Sequence, residues 1–416
     1  MDELRYGTTG PFEAVKIPEF RHLIAGRFFF IFSLRMMSTL VGWWIYQLTS
    51  APFAIGLIGL SEVIPALSLA LYAGYVIDMS EKRRLMLRGV SFYFCAAAVL
   101  LLFSTGYGST TFTDPGIVIG IYAVIFCTGI IRAFTGPTFN VMLAMIVPRV
   151  ILPNATTWNQ GTWLIASVTG HAMGGLFIAH IGNTGTLAVI CCSFLLSLSA
   201  LWRLKKHAPE KKQTEKKGWD SVKEGLQFVF KTKDLLGAIS LDMFAVFFGG
   251  AVAMVPVFAS DILKVGPEGF GILNAANDIG AICSVLLLTF FPMRRNQGRR
   301  MIAAVAGFGI CIIVFAVSEW FWLSFFALMV AGVLDGISMV IRGTIMQLKT
   351  PNEMKGRVMS VNSMFVNSSN ELGQFESGLM ARLMGVIPSV IFGGCMTFVV
   401  ATATWIKAKK LRQLEY

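Results

Sequence analysis

Along the chain, apolar runs alternate with short polar breaks, and twelve such runs can be read, near 22–47, 53–77, 86–105, 116–146, 157–181, 184–203, 235–260, 269–292, 300–318, 320–345, 358–383 and 386–406. Each is close to the ~20 residues a helix needs to cross the hydrocarbon core of a bilayer. Hydrocarbon offers no water to backbone N–H and C=O groups, so each run has to satisfy them internally and is predicted to be a helix. The expected fold class is therefore an all-α membrane protein with twelve transmembrane helices. Gly and Pro interrupt several runs, which membrane helices tolerate better than soluble ones.

The polar breaks carry the charge. Only 14% of the 416 residues are charged, against about 25% in an ordinary soluble domain. A formal net charge of +12 would suit a nucleic-acid partner if it formed one patch, but the basic residues gather in alternate breaks. They stand at Glu81-Lys82-Arg83-Arg84, Arg149, Arg203 to Lys233, Arg294-Arg295 with Arg299-Arg300, Lys349 to Arg357, and Lys407 to Arg412, whereas the opposite breaks hold little that is basic beyond Lys264. By the positive-inside rule both termini are expected in the cytoplasm, consistent with an even number of crossings. This organises the chain into a cytoplasmic N-terminal segment (1–21), a six-helix half (22–203), a basic cytoplasmic linker (204–234), a second six-helix half (235–406) and a cytoplasmic tail (407–416). The linker reads as a solvated, charged hinge beside the lipid surface.

The halves resemble each other. One offset of 203 residues relates Gly129 to Gly332, Pro148 to Pro351, Asn159 to Asn362, Gly170 to Gly373 and Gly175 to Gly378. Duplicated halves are a common way to build a midplane site between two rocking units. The seven cysteines all fall in apolar runs, without CxxC or Cys/His spacing, so neither a disulfide framework nor a metal site is expected. No cofactor is implied either. Residues 1–20 are mixed polar and no small-residue cleavage site follows, so no cleavable signal peptide is read.

Three motifs bear on mechanism. Gly74-Tyr-Val-Ile-Asp78-Met-Ser-Glu-Lys82-Arg83-Arg84 resembles the loop signature of the major facilitator superfamily, with Met79 and Glu81 departing from it. In that resemblance Gly74 permits close helix contact, and Asp78 with the cations Lys82, Arg83 and Arg84 latches one conformation; the plain alternative is a solvated positive-inside loop. Arg132-Ala-Phe-Thr-Gly136 is similar to the superfamily's Arg-xxx-Gly element, linked to proton handling in some members. Gly170-His171-Ala-Met-Gly174-Gly175 is similar to the Gly-Pro-xx-Gly-Gly element of exporters, with His171 in place of proline. Small residues there, and at Gly373 and Gly378 in the second half, allow close helix packing, and the plainer role for His171 is a hydrogen bond within that packing. With the segments around Asp242, Asp335, Lys349–Asn362 and Ser369–Gly378, the resemblance covers nearly the whole chain and points to the enterobactin and macrolide exporter branch.

Charges inside apolar runs are costly, ~2.5–3.5 kcal/mol each by insertion scales, and as a set they read as functional. They are Arg35, Glu62, Arg132, Asp242, Asp278, Asp335, Arg342, Glu371 and Glu376. The 203-residue offset makes Arg132 and Asp335 counterparts, able to pair across a cavity in one state. Arg132, Asp242, Asp335, Glu62, Glu376 and Arg35 are the proton-coupling and ion-pair candidates. Of these, Glu62, Asp242 and Glu376 are the preferred proton carriers, since a carboxyl in hydrocarbon is easier to hold neutral than charged. Arg342, Glu371 and Asp278 are placed near helix ends and given less weight. Met243, Phe244, Phe247 and Glu371 are candidates for lining a binding cavity, with packing as the plainer role for the aromatics.

The expected function is secondary transport by alternating access: proton-coupled efflux of an amphipathic small molecule, a drug or siderophore. A lipid or lysolipid carrier and a nutrient or siderophore importer are alternatives on the same fold. An embedded enzyme would need a nucleophile or metal motif, and HExxH, GxSxG and a phosphate loop are all missing from the sequence, so no enzyme is expected. The expected partners are the substrate, protons and the bilayer, without nucleic acid, in a monomer of a bacterial inner membrane. On the latch reading, Asp78→Ala slows turnover more than it weakens substrate binding. Separate measurement of transport rate and substrate affinity checks this, and the reverse pattern contradicts the latch.

Overall fold

The structure, a computed structural model, describes residues 10–206, 218–291, 293, 295–351 and 354–414. Among the described residues it is helical throughout, without a strand. The principal helices are α1 (Pro18–Thr49), α2 (Pro52–Met79), α3 (Lys82–Ser104), α4 (Asp114–Ile146), α5 (Leu152–Trp202), α6 (Gly218–Lys231), α7 (Lys233–Phe248), α8 (Gly266–Phe290), α9 (Gln297–Val317), α10 (Phe321–Lys349), α11 (Lys355–Met384) and α12 (Val386–Lys407). Ten described helical stretches are long and apolar enough to cross a membrane.

Those ten differ from the twelve runs read in sequence at two places. The first is α5, whose 51 residues span about 77 Å at 1.5 Å per residue, far more than the ~30 Å hydrocarbon core. It breaks at Gly182, where φ is +67° and ψ −177°, a region essentially reserved for glycine. The contacts with α1 show the chain reversing there. Before the break, Gly170 abuts Phe32 and Arg35, and Gly174 abuts Met36 and Thr39. After it, Phe194 meets the ring of Phe30 and Ser197 donates to the Gly26 carbonyl at 2.7 Å. The second place is α11, with 30 residues but a run of Asn, Ser, Gln and Glu that keeps it out of the apolar set. Several of its side chains bond back to their own helix, Ser368 to the Met364 carbonyl at 2.7 Å and Ser369 to that of Phe365 at 2.8 Å, so these hydroxyls find their hydrogen-bond partners within the helix itself.

The chain divides into two compact units, Met1–Leu40 with Ser68–Gln213, and Val41–Leu67 with Thr214–Tyr416. The boundary falls inside the basic linker, and the end of α1 and start of α2 group with the second unit.

In the first unit α3 packs on α4 and α5 around four buried aromatics. Phe30 stacks on Phe139 and meets Tyr93 edge-on, both at 5.3 Å between centroids, and Tyr93 stacks on Phe194 at 6.1 Å. In the second unit α8 packs on α10, and α9 on α10 and α12. Its core gathers Leu235, Ile239 and Leu241 of α7, Met301 and Val305 of α9, Ile341 and Ile345 of α10, and Val358 and Val361 of α11. The second part of the linker, read as a solvated hinge, is the helix α6, which packs on α11. Its Val229 is buried in that core and its Glu224 pairs with Arg357. The reason is the spacing of Leu226 and Val229, which gives a polar helix one apolar face.

The 203-residue offset has a geometric counterpart within each unit. A Cβ on Gly170 would lie 2.8 Å from the Phe32 carbonyl of α1, and one on Gly373 would lie 2.8 Å from the Phe247 carbonyl of α7. Each glycine seats the fifth or eleventh apolar run against the first run of its own half. Overpacking such a contact costs about 1–3 kcal/mol, less up to about 1 kcal/mol that alanine regains in helix propensity. Gly170→Ala and Gly373→Ala are therefore each expected to lower the melting temperature of the purified protein. Gly161→Ala, with nothing within 4 Å of its Cβ position, keeps only the propensity gain and is expected to leave the melting temperature at or slightly above that of the wild type.

Candidate functional site

Asp242 of α7 takes part in a buried ion pair. Its carboxylate pairs with Arg342, and both side chains are almost fully buried, at 4% and 7% exposure. Ser338 donates to Asp242 Oδ1 at 3.4 Å. Asp335, Ser338 and Arg342 are spaced three and four residues apart, so α10 presents them on one face, and α7 packs on α10 there. Asp335, which is half-buried, thus stands two turns along the same stripe from Arg342, whose guanidinium holds Asp242. Arg342, given little weight from the sequence as a helix-end residue, is instead the buried partner of the leading proton candidate.

Below this pair the helix containing Asp242 loses regularity. After Phe248 the chain passes through a 3₁₀ segment, Gly250–Met254, one α-turn, Val255–Val257, and a π turn, Phe258–Ile262. Changes of helix type of this kind mark functional hinges or strain. At the π turn Asp261 accepts a hydrogen bond from Tyr46 of α1, a contact within the second unit that was not expected from the sequence.

The polar helix α11 lies along α7. It carries Glu371, 7% exposed, and Glu376, half-buried. The start of α2 is pressed against it: a Cβ on Gly59 would lie 2.4 Å from the Glu371 carbonyl, and one on Gly56 would lie 3.0 Å from the Cα of Gly378. Glu62 follows Gly59 by about one turn and is half-buried. The second unit therefore places Glu62, Asp242, Asp335, Glu371 and Glu376 on α2, α7, α10 and α11. Of the expected cavity residues, Phe244 is 43% exposed, Met243 and Phe247 are half-buried, and Glu371 is buried.

The first unit arranges its candidates differently. His171 Nδ1 and Thr39 Oγ1 share a hydrogen bond of 2.8 Å between α5 and α1. Arg35 lies over the Trp163 ring at 5.2 Å, a contact worth ~0.5–2 kcal/mol depending on desolvation. Arg132 is half-buried on α4, in the first unit, whereas Asp335 is in the second. Gly175 is buried beside Gly174 on α5. Sequence reading missed Arg27, which donates to Asn140 Oδ1 at 3.2 Å, while Asn159 donates to the same oxygen at 3.4 Å. The signal was available, since Arg27 sits within the first apolar run.

In the loop motif, Gly74 and Asp78 fall in the last turns of α2, and their surroundings lie outside the described residues. The three cations are held locally. Buried Lys82 points its ammonium at the carbonyls of Ile77 and of Ser80, the latter at 3.0 Å, where a cation complements the helix C-terminus. Arg83 donates to the Trp202 carbonyl at 2.6 Å, and Arg84 pairs with Glu81 at 3.6 Å.

The chain is similar to known proteins along nearly its whole length. The model of a family described as transmembrane secretion effector matches residues 9–416. The chain is 24% identical over 359 residues to the multidrug efflux pump Tap of Mycolicibacterium fortuitum, covering 83% of this chain and 84% of that protein. It is 23% identical over 406 residues to the enterobactin exporter EntS of Shigella boydii serotype 18, covering 95% and 93%. Among solved structures, a mutant of the nucleoside transporter NupG superposes with a TM-score of 0.74 at 13% identity, covering 93% of this chain and 99% of that one. That likeness carries the fold, and the match along almost the whole length carries the family. This chain belongs to the transmembrane secretion effector family of the major facilitator superfamily, and it is a multi-span membrane transporter rather than an enzyme.

Proposed function

We propose that the chain is a proton-coupled exporter of an amphipathic small molecule, a drug or siderophore, working by alternating access between two six-helix halves. In this reading α5 supplies two crossings and α11 one, so that the crossings number twelve, with both termini cytoplasmic in a bacterial inner membrane and a monomer as the working unit. The observation that carries the reading is the buried Asp242–Arg342 pair with Ser338 at its side. A buried pair adds little net stability, yet removing one partner costs about 3–5 kcal/mol, because the other charge is stranded. Such a pair responds sharply to a proton. Protonation of Asp242 frees Arg342, which turns to Asp335 on its own face of α10, and the hold of α7 on α10 loosens. The irregular segment after Phe248 absorbs the resulting rotation.

Glu62 and Glu376 are proposed to relay protons along α2 and α11, and Arg132 with Arg35 to supply the first half's positive counterparts. Met243, Phe244 and Phe247, beside the proton carrier, receive the apolar part of the substrate, and Glu371 its polar end. The loop cations Lys82, Arg83 and Arg84, with Gly74 and Asp78, form the gate. The outward direction and the substrate class are supported by the similarity to Tap and EntS, which are named as efflux proteins. Proton return supplies the drive, each charge crossing being worth ~2.3 kcal/mol per 100 mV.

Two outcomes follow for purified protein. Arg342→Met is expected to destabilise by about 3–5 kcal/mol, read as a lower melting temperature, with most of the loss recovered when Asp242→Asn is added. In proteoliposomes under a proton gradient, addition of a hydrophobic drug and siderophore panel is expected to produce proton movement that Asp242→Asn abolishes while membrane insertion persists. No proton movement with any compound, together with translocation of a lipid probe in the absence of a gradient, contradicts this function and supports a lipid carrier.

A further inference from the structure

The first unit also carries a half-open groove of ≈ 490 Å³ between the start of α3 and the end of α5, apart from the buried charges described above. Its mouth is basic and its depth apolar. Arg84 and Arg88 are one turn apart on α3, and the same stripe continues through Ser91 to Cys95, about 10 Å further along the axis from Arg88. Across from it stand Trp202 and Lys206. Among the four cations around the mouth, Arg83 is committed to the Trp202 carbonyl and ring and Arg84 leans on Glu81 at 3.6 Å. Arg88 and Lys206 have no salt-bridge partner among the described residues, and both are exposed.

The wall is built rather than incidental. The Arg83 guanidinium bonds the Trp202 carbonyl and lies 5.7 Å from its ring centroid, which pins the tryptophan in place although 70% of it is exposed. Phe92, 60% exposed, lines the groove from α3. An inorganic anion would leave this aromatic lining unused, and a neutral lipid would leave the charges of Arg88 and Lys206 unused. A molecule that is anionic at one end and hydrocarbon at the other uses both, and membranes supply one from the leaflet on the basic side.

We propose that the groove is a binding site for an acidic phospholipid, its phosphate between Arg88 and Lys206 and an acyl chain running past Phe92 toward Cys95, with Trp202 as the opposite wall. The arginines of the gating loop border this site, so occupancy would also brace that loop. The site rests on the membrane-spanning fold and not on the coupling chemistry, and its test reads lipid rather than transport.

The test titrates the delipidated full-length protein with phosphatidylglycerol, phosphatidylcholine or inorganic phosphate, counting retained ligands by native mass spectrometry. Phosphatidylglycerol is expected to be retained over phosphatidylcholine. Arg88→Gln with Lys206→Gln is expected to weaken it about 25-fold, about fivefold for each cation, while Trp202→Ala weakens the lipid without affecting phosphate. Independently of any variant, phosphatidylglycerol should slow maleimide labelling of Cys95 relative to exposed Cys127 and Cys395. Equal retention of the two lipids, phosphate bound as tightly as phosphatidylglycerol, or unprotected Cys95 would each overturn the assignment.

Discussion

An ionised side chain in hydrocarbon has to find a partner, a wet cavity or a proton, and the pair of Asp242 and Arg342 is where that requirement acts most sharply in this protein. Both are buried and joined, and the rest of the second unit is arranged so that they can be. Aligned on α10, Asp335, Ser338 and Arg342 form one polar stripe, and α7 brings Asp242 to it with an otherwise apolar face of Leu235, Ile239 and Leu241. A permanent structural pair is an expensive way to join two helices when hydrophobic packing is often as stable. A pair whose strength depends on one proton has a use that packing cannot supply.

For such a pair to act, helices have to come close and yet be able to move, and the small residues meet both needs. Gly170 and Gly373 let one helix of each unit touch the backbone of its neighbour. Gly280 and Gly332 do the same between α8 and α10, where a Cβ would fall only 2.0 Å and 2.1 Å from facing carbonyls. Contacts made by backbone against backbone leave no long side chains to interlock. In membranes, where burial of apolar side chains gives no drive toward association, close packing of this kind is itself a main source of helix affinity.

Helices and their approximate positions were legible in the sequence because the bilayer imposes length and apolarity on almost every segment, and the family because Gly74–Arg84, Arg132–Gly136 and Gly170–Gly175 resemble its motifs. The 203-residue offset was legible too, and two of the glycines it relates, Gly170 and Gly373, stand at close helix contacts in the structure. The partner of Asp242 was not, because Arg342 is a hundred residues away and only the relative rotation of α7 and α10 decides that they meet. The sequence reading offered Arg132 and Asp335 as counterparts by symmetry; within the second unit, α10 itself carries Arg342 two turns from Asp335. The loop cations were read as a set, but Lys82, Arg83 and Arg84 each cap or brace something different. That division depends on where α2 and α5 end, which composition does not specify. Gly182 was likewise one glycine among 41 until its positive φ marked the reversal in α5.

The most direct test of the central claim uses the neutral pair, Asp242→Asn with Arg342→Gln, reconstituted beside the wild type after both are confirmed to melt alike. Uptake or efflux of a transported drug is then followed with an imposed proton gradient. If the pair is the proton-responsive element, the double variant folds and inserts but loses gradient-driven transport to below about a tenth of wild type, the loss that more than ~1.4 kcal/mol of lost coupling produces. Gradient-driven transport at the wild-type rate by the neutral pair would contradict the account and leave Asp242 and Arg342 a structural fastening only.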